Sequence, residues 1–226
     1  MMSMNMKTYP FRYVLKTYRM DQLILPASLW GLFAILVLIF RGQDSAYQSA
    51  RAFVGMVLPM IAGILAAYAV LEDPALELQF SMPTPPWRML AERLCLVFLV
   101  IVVCALTFQL YLGVIGLSLQ PLGGLAARQL AWLVPTLNLM GLGCLLALAG
   151  ARSIPGAMAV GLVWLSQLIG NSWFAHNLVG RYFYLYMGTT HAELPQLRGN
   201  QLVLLMFGLV YLFSAWVLIR KQERYL

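Results

Sequence analysis

Apolar residues in this chain gather into six long runs, Leu23–Phe40, Ala52–Leu71, Leu94–Leu117, Leu130–Gly150, Ile154–Gly170 and Gln201–Ile219. A helix of about 20 residues crosses the ~30 Å hydrocarbon layer of a bilayer, so each run predicts a membrane span. No Asp, Glu, Lys, Arg or His falls inside any of them. The fifth run is the shortest, and its helix is expected to continue in a bent form past Asn171. The fold class expected is an all-α integral membrane protein of six spans, a single domain over residues 1–226 with no linker or repeat that would divide it.

The polar connections carry their own patterns. Ahead of the first run, Phe11, Val14, Leu15 and Tyr18 recur at the spacing of one helical face, with Arg12, Lys16 and Arg19 as a second stripe and Pro10 suited to a first helical position. This predicts an amphipathic helix lying in the headgroup layer. Between the second and third runs, residues 72–93, Asp73 and Pro74 form a helix start, and Leu76, Glu77, Leu78 and Phe80 fill about two turns. Pro83, Pro85 and Pro86 then stop that helix, and Pro86 can open the next one, with Trp87 at the interface and Arg88 and Arg93 at its edge. Between the fifth and sixth runs, residues 171–200 hold Trp173, Phe174, Tyr182, Phe183, Tyr184 and Tyr186. Aromatic residues at this density suit the headgroup zone and predict short interfacial or re-entrant helices.

Composition agrees: 62% of residues are hydrophobic and 10% charged, the inverse of a soluble domain. The formal charge of +7 does not indicate nucleic acid, because Lys and Arg sit at span ends and make no continuous basic face. With the N-terminus cytoplasmic, that side holds 10 of the Lys and Arg residues and the other 5, including all three lysines on the first side. Both termini are therefore expected inside the cell. The first run ends in Phe40-Arg41, not a small-residue cleavage site, so it is read as a retained span. Cys95, Cys104 and Cys144 all lie in apolar runs and are read as small apolar fillers, with neither a disulfide frame nor a metal site.

Candidate chemistry is sparse. There is no G-x-x-x-x-G-K-[ST] phosphate loop and no H-E-x-x-H, and His176 and His191 stand 15 apart in the aromatic connection. No nucleophile–base pair occurs in a span, which leaves an intramembrane enzyme little to use. Ion-coupled carriers commonly place an ionisable group at membrane depth, and the runs have none. The uncharged polar residues there include Thr107, Gln109, Thr136, Asn138, Ser166 and Gln167. Interhelical hydrogen bonding is their ordinary use; Gln109, Asn138 and Gln167 are the candidates for lining a pathway. Small residues four apart, Ala62/Ala66, Gly143/Ala147 and Ala157/Gly161, allow helices to approach closely. Pro59, Pro135 and Pro155 are expected to kink or begin their helices.

The stretch Leu76-Glu77-Leu78, Ser81-Met82-Pro83, then Arg88, Leu90 and Arg93-Leu94 resembles the coupling-helix region of type-2 ABC exporter permease subunits. There an acidic-leucine helix runs into Ser-Leu-Pro and a basic turn before span three. Met82 stands where that family has leucine, and Pro85-Pro86-Trp87 replaces part of its basic cluster. The wider layout is also similar: an amphipathic N-terminal helix, six spans, both ends inside, and an aromatic outer segment between spans five and six. The resemblance implies a multi-pass subunit of a bacterial plasma membrane that pairs with a second permease chain, the same or different. It would dock on a separate ATP-binding cassette ATPase through Asp73, Glu77, Arg88 and Arg93. This chain itself would be non-catalytic and hold no cofactor, with ATP and Mg on the partner. An outer pathway of aromatic, amide and hydroxyl groups suits an amphipathic or lipidic cargo. The competing reading is a non-transporting membrane assembly or scaffold protein, whose interfaces would be the small-residue faces.

Overall fold

The computed structural model describes residues 21–71 and 86–220. Its helices are α1 (Asp21–Ile39), α2 (Asp44–Ala52), a π-helical turn (Phe53–Val57), α3 (Leu58–Leu71), α4 (Pro86–Val114), α5 (Leu125–Gly150), α6 (Ser153–Ile169), α7 (Asn171–His176), α8 (Gly180–Phe183), α9 (Met187–Thr190) and α10 (Leu197–Ile219). Among the described residues there is no strand. The expected surface helix around Phe11–Tyr18 and the coupling helix begun by Asp73 lie outside the described residues.

Among the described residues, four continuous helices are long and apolar enough to cross a membrane: Asp44–Ala69, Trp87–Val114, Leu125–Gly150 and Leu197–Ile219. Leu23–Ile39 and Ser153–Ile169 are shorter apolar helices. At 1.5 Å per residue each of these reaches about 25 Å, near the lower limit for a span. Leu110, Val114, Ile154, Leu162, Ile169, Leu202 and Phe213 are all more than half exposed. Water would penalise so much contiguous apolar surface; lipid would not.

The helix starts differ from those the apolar runs predict, and the differences share a cause. The second span begins at Asp44 rather than Ala52, the third at Pro86 rather than Leu94, the fourth at Leu125 rather than Leu130, and the sixth at Leu197 rather than Gln201. In each case charged or amide side chains occupy the opening turns: Asp44, Gln48 and Arg51; Arg88, Glu92 and Arg93; Arg128 and Gln129; Arg198 and Asn200. Such residues interrupt an apolar run without interrupting the helical backbone. In α2, Ala46 and Ala50 are fully buried one turn apart, while Asp44 sits at the positive end of the helix dipole. The third helix also stops at Val114, before the expected Leu117, because the chain turns through Gly116 at φ +78°.

α5 is the axis of the bundle. It packs against α3, α6 and α10 along most of its length, and the contacts are backbone to backbone. A β-carbon at Gly143 would overlap the carbonyl oxygen of Gly63 on α3, and one at Gly156 on α6 would overlap the carbonyl of Gly143. On the α10 side, a β-carbon at Gly141 would lie 2.8 Å from the carbonyl oxygen of Gly208. Small residues permit such crossings in membrane bundles, where dispersion and hydrogen bonding replace the hydrophobic drive. Ala62, Ala66 and Ala147 are buried as expected, whereas a β-carbon at Gly161 would meet open space, so the third small pair faces outward.

α1 and α4 attach differently. Trp30, Phe33, Phe53, Phe108 and Tyr111 form an aromatic cluster with ring centroids 4.3–6.1 Å apart. The Tyr111 hydroxyl donates to the Ala34 carbonyl at 2.9 Å, tying α4 to α1. The α5–α6 hairpin turns at Ala151, whose φ of +51° is a left-handed helix cap more often filled by glycine.

Candidate functional site

The connection from α6 to α10 is the most elaborate part of the molecule. Gly170 bends the chain and α7 follows at once, with the Phe174 N–H donating to the Gly170 carbonyl at 3.0 Å, so the fifth helix does continue past Asn171. Asn177 then accepts from the N–H groups of Val179 (2.9 Å) and Gly180 (3.0 Å), which starts α8. From there the chain folds back into the bundle. Tyr184, Leu185, Tyr186, Met187, Gly188 and Thr189 are six consecutive buried residues.

A buried run in which only the single turn of α9 is helical needs its other backbone polar groups satisfied, and two span residues contribute to this. Asn200, at the start of α10 and 1% exposed, donates to the carbonyls of Arg181 (2.7 Å) and Tyr184 (2.9 Å). Gln167 on α6 accepts from the Leu185 N–H at 3.2 Å and donates to the Phe183 carbonyl at 3.3 Å. Phe174 stacks on Tyr184 at 6.0 Å and 10°. Thr190 donates to the Tyr184 hydroxyl at 3.3 Å. Burial pushes the Tyr184 phenol above its ordinary pKa, against the smaller opposing effects of the Thr190 hydrogen bond and the Arg51 charge. The buried Tyr184 is therefore an uncharged phenol at neutral pH.

The re-entrant stretch meets the π-helical turn face to face. The Thr189 side chain lies so close to Gly55 that no β-carbon would fit there, and Gly188 sits against Ala131 of α5. Pro59 accounts for the wide turn: it has no N–H to donate and its ring crowds the carbonyl of Gly55 four residues back. The Met56 carbonyl instead accepts from the Trp164 indole N–H at 3.1 Å, and the Trp164 carbonyl accepts from the Tyr186 hydroxyl at 3.4 Å. π-turns concentrate at functional positions. Here one forms the wall against which the re-entrant segment is seated.

Of the three pathway candidates, two are committed to structure. Gln167 binds the re-entrant backbone, and Asn138, 6% exposed, donates to the Leu204 carbonyl of α10 at 2.9 Å. Gln109 faces an open space instead. It exchanges hydrogen bonds with Gln129 of α5 (2.9 and 3.4 Å), and Gln129 also accepts from the Trp132 indole at 2.7 Å. Gln109 lines a pocket of ≈ 290 Å³ at the α4–α5 corner.

Of the docking candidates, Asp73 and Glu77 lie outside the described residues. Arg88 is on the surface in the first turn of α4, paired with Glu92 one turn on at 2.9 Å, both side chains about 45% exposed. Arg93 is 8% exposed and turned into the protein. Trp87, at the expected interface position, is 46% exposed. Among the described residues no group of three His, Cys, Asp or Glu is placed to hold a metal ion. His176 contacts the Ser172 carbonyl at 2.7 Å and His191 lies 3.7 Å from Glu193.

The sequence reading passed over Asn200, Trp164, Gly55 and the Gln129 partner of Gln109. Only Asn200 carried a signal: an amide just ahead of an apolar run, directly after a long aromatic connection. No family model, curated protein or solved structure matches the chain.

Proposed function

We propose that this protein is the permease subunit of an ATP-driven exporter of the type-2 ABC class. It works as a pair, with a second permease chain completing the pathway and separate ATP-binding subunits supplying the work. Both termini face the cytoplasm of a bacterial cell, six helices cross the plasma membrane, and the segment 72–93 is the handle on which the ATPase acts. ATP and Mg belong to the partner.

The observation that supports this reading best is the α6–α10 connection folded back into the bundle as a chain of short helices. It occupies the position of the aromatic outer segment in the resemblance. The charge pattern agrees energetically. The apolar runs hold no ionisable group for a proton or sodium ion to visit, so work has to enter through a contact outside the bilayer. Arg88 contributes to that contact from the surface of the first turn of α4.

Purification of the full chain from its native membrane in mild detergent tests the proposal. Co-purification of a P-loop ATPase, and ATP hydrolysis that loses its dependence on transport in Glu77→Arg while the protein still inserts, is the expected result. Recovery with other membrane proteins alone, or with nothing, would favour the scaffold reading.

A further inference from the structure

A second polar site lies at the same end of the bundle as the re-entrant segment, in the corner between α4 and α5. Its pocket of ≈ 290 Å³ is lined by Gln109, Ser118 and Arg128 together with apolar residues and the glycines Gly113 and Gly116. Gln109 stands five residues before the end of α4, about 7 Å below it, so the pocket spans the depth where headgroups give way to acyl chains. No acidic residue lines it.

Two features of this corner are electropositive, and a third fixes a polar group beside them. Arg128 makes no ion pair or side-chain hydrogen bond with the described residues, and its Nε is buried without a partner. A guanidinium nitrogen out of water needs an acceptor, and leaving it without one is costly. Arg128 stands in the first turn of α5, a 26-residue helix whose N-cap is Gly124, with no side-chain cap and no acidic residue in that turn. The positive end of the helix dipole therefore lies beside the pocket with no carboxylate in that turn to offset it. Finally, the Gln109–Gln129–Trp132 network fixes the amide of Gln109 at the pocket wall.

We propose that this pocket is a binding site for a phosphate oxyanion, held by the side chains of Arg128 and Gln109. A planar fork of N–H donors matches phosphate geometry and is the common choice for it. The pocket's position between interface and hydrocarbon fits the headgroup of an anionic phospholipid; free inorganic phosphate shares the same chemistry. The site does not depend on the exporter reading, since a scaffold protein could carry it equally.

The test is a titration of the delipidated full-length protein with dihexanoyl phosphatidylglycerol and, separately, with inorganic phosphate, read by thermal shift and native mass spectrometry. Saturable binding of the phosphatidylglycerol alone, weakened roughly tenfold or more by Arg128→Gln, supports a lipid headgroup site. Saturable binding of inorganic phosphate with the same sensitivity supports the oxyanion site with a free anion as its source. Arg198→Gln, which alters an exposed cation at the same end and outside the pocket, should bind as the wild type does. Equal loss in Arg198→Gln, undiminished binding in Arg128→Gln, or no saturable binding of either probe by the wild type would overturn the proposal. If Arg128→Gln does not fold, the wild-type titration and Arg128→Lys decide: the lysine variant keeps the charge without the fork, and binding unchanged from wild type in it would remove the guanidinium from the site.

Discussion

The two ends of this bundle handle their polar groups in opposite ways. At one end, the α6–α10 connection is drawn into the protein, with six consecutive residues buried and their backbone tied by Asn200 and Gln167. At the other, Arg88 and Glu92 in the opening turns of α4 lie on the surface, and among the described residues Arg88 pairs with Glu92 of its own helix. An exposed pair of this kind contributes about 0.3–0.5 kcal/mol, so it can be exchanged for a partner's carboxylate at little cost. The first end holds a shape; the second leaves charge on the surface, as the proposed docking role requires.

That contrast predicts an ordered set of effects. Asn200→Ala leaves the Arg181 and Tyr184 carbonyls with only long backbone donors at 3.4 Å, and at about 1–3 kcal/mol for each lost bond it should show the largest loss, roughly 2–6 kcal/mol, in thermal or denaturant unfolding in detergent. Gln167→Leu keeps much of the volume but leaves the Leu185 N–H and Phe183 carbonyl unpaired over longer bonds. A smaller loss of about 1–3 kcal/mol is expected. Gly55→Val forces a side chain into the space taken by Thr189 and should cost about 1–3 kcal/mol, with the re-entrant segment more open to protease as its signature. Arg88→Ala should change stability by less than about 0.5 kcal/mol, yet lower ATP-dependent transport in reconstituted vesicles. If Arg88→Ala destabilised as much as Asn200→Ala, the division between a fixed end and a gripped end would fail.

How far these features could be read in advance follows from their physics. Hydrophobicity is a local signal, so the six apolar helices, the start at Pro86 and the bent continuation past Gly170 were visible along the chain. Helix starts were misplaced wherever Asp44, Arg128 or Arg198 opened a helix, because charge interrupts an apolar run at a point where the backbone hydrogen bonds continue. Asn138 and Gln167 look like pathway residues in isolation; only the fold reveals that they are engaged by Leu204 and by the re-entrant backbone. The meeting of Gly143 with Gly63 and with Gly156 joins residues 80 apart in one contact and lies on separate helices in both, and no spacing rule along one helix reports it. The same holds for Gly55 against Thr189, which sits where a π-turn and a distant loop coincide.

The exporter reading rests on residues 72–86 facing the cell interior. A cysteine introduced at Glu77 and probed with a membrane-impermeant thiol reagent tests that most directly, against the parent chain with its three native cysteines as background. The account predicts labelling above that background only after the membrane is opened. Labelling of Glu77→Cys from outside intact cells would contradict it.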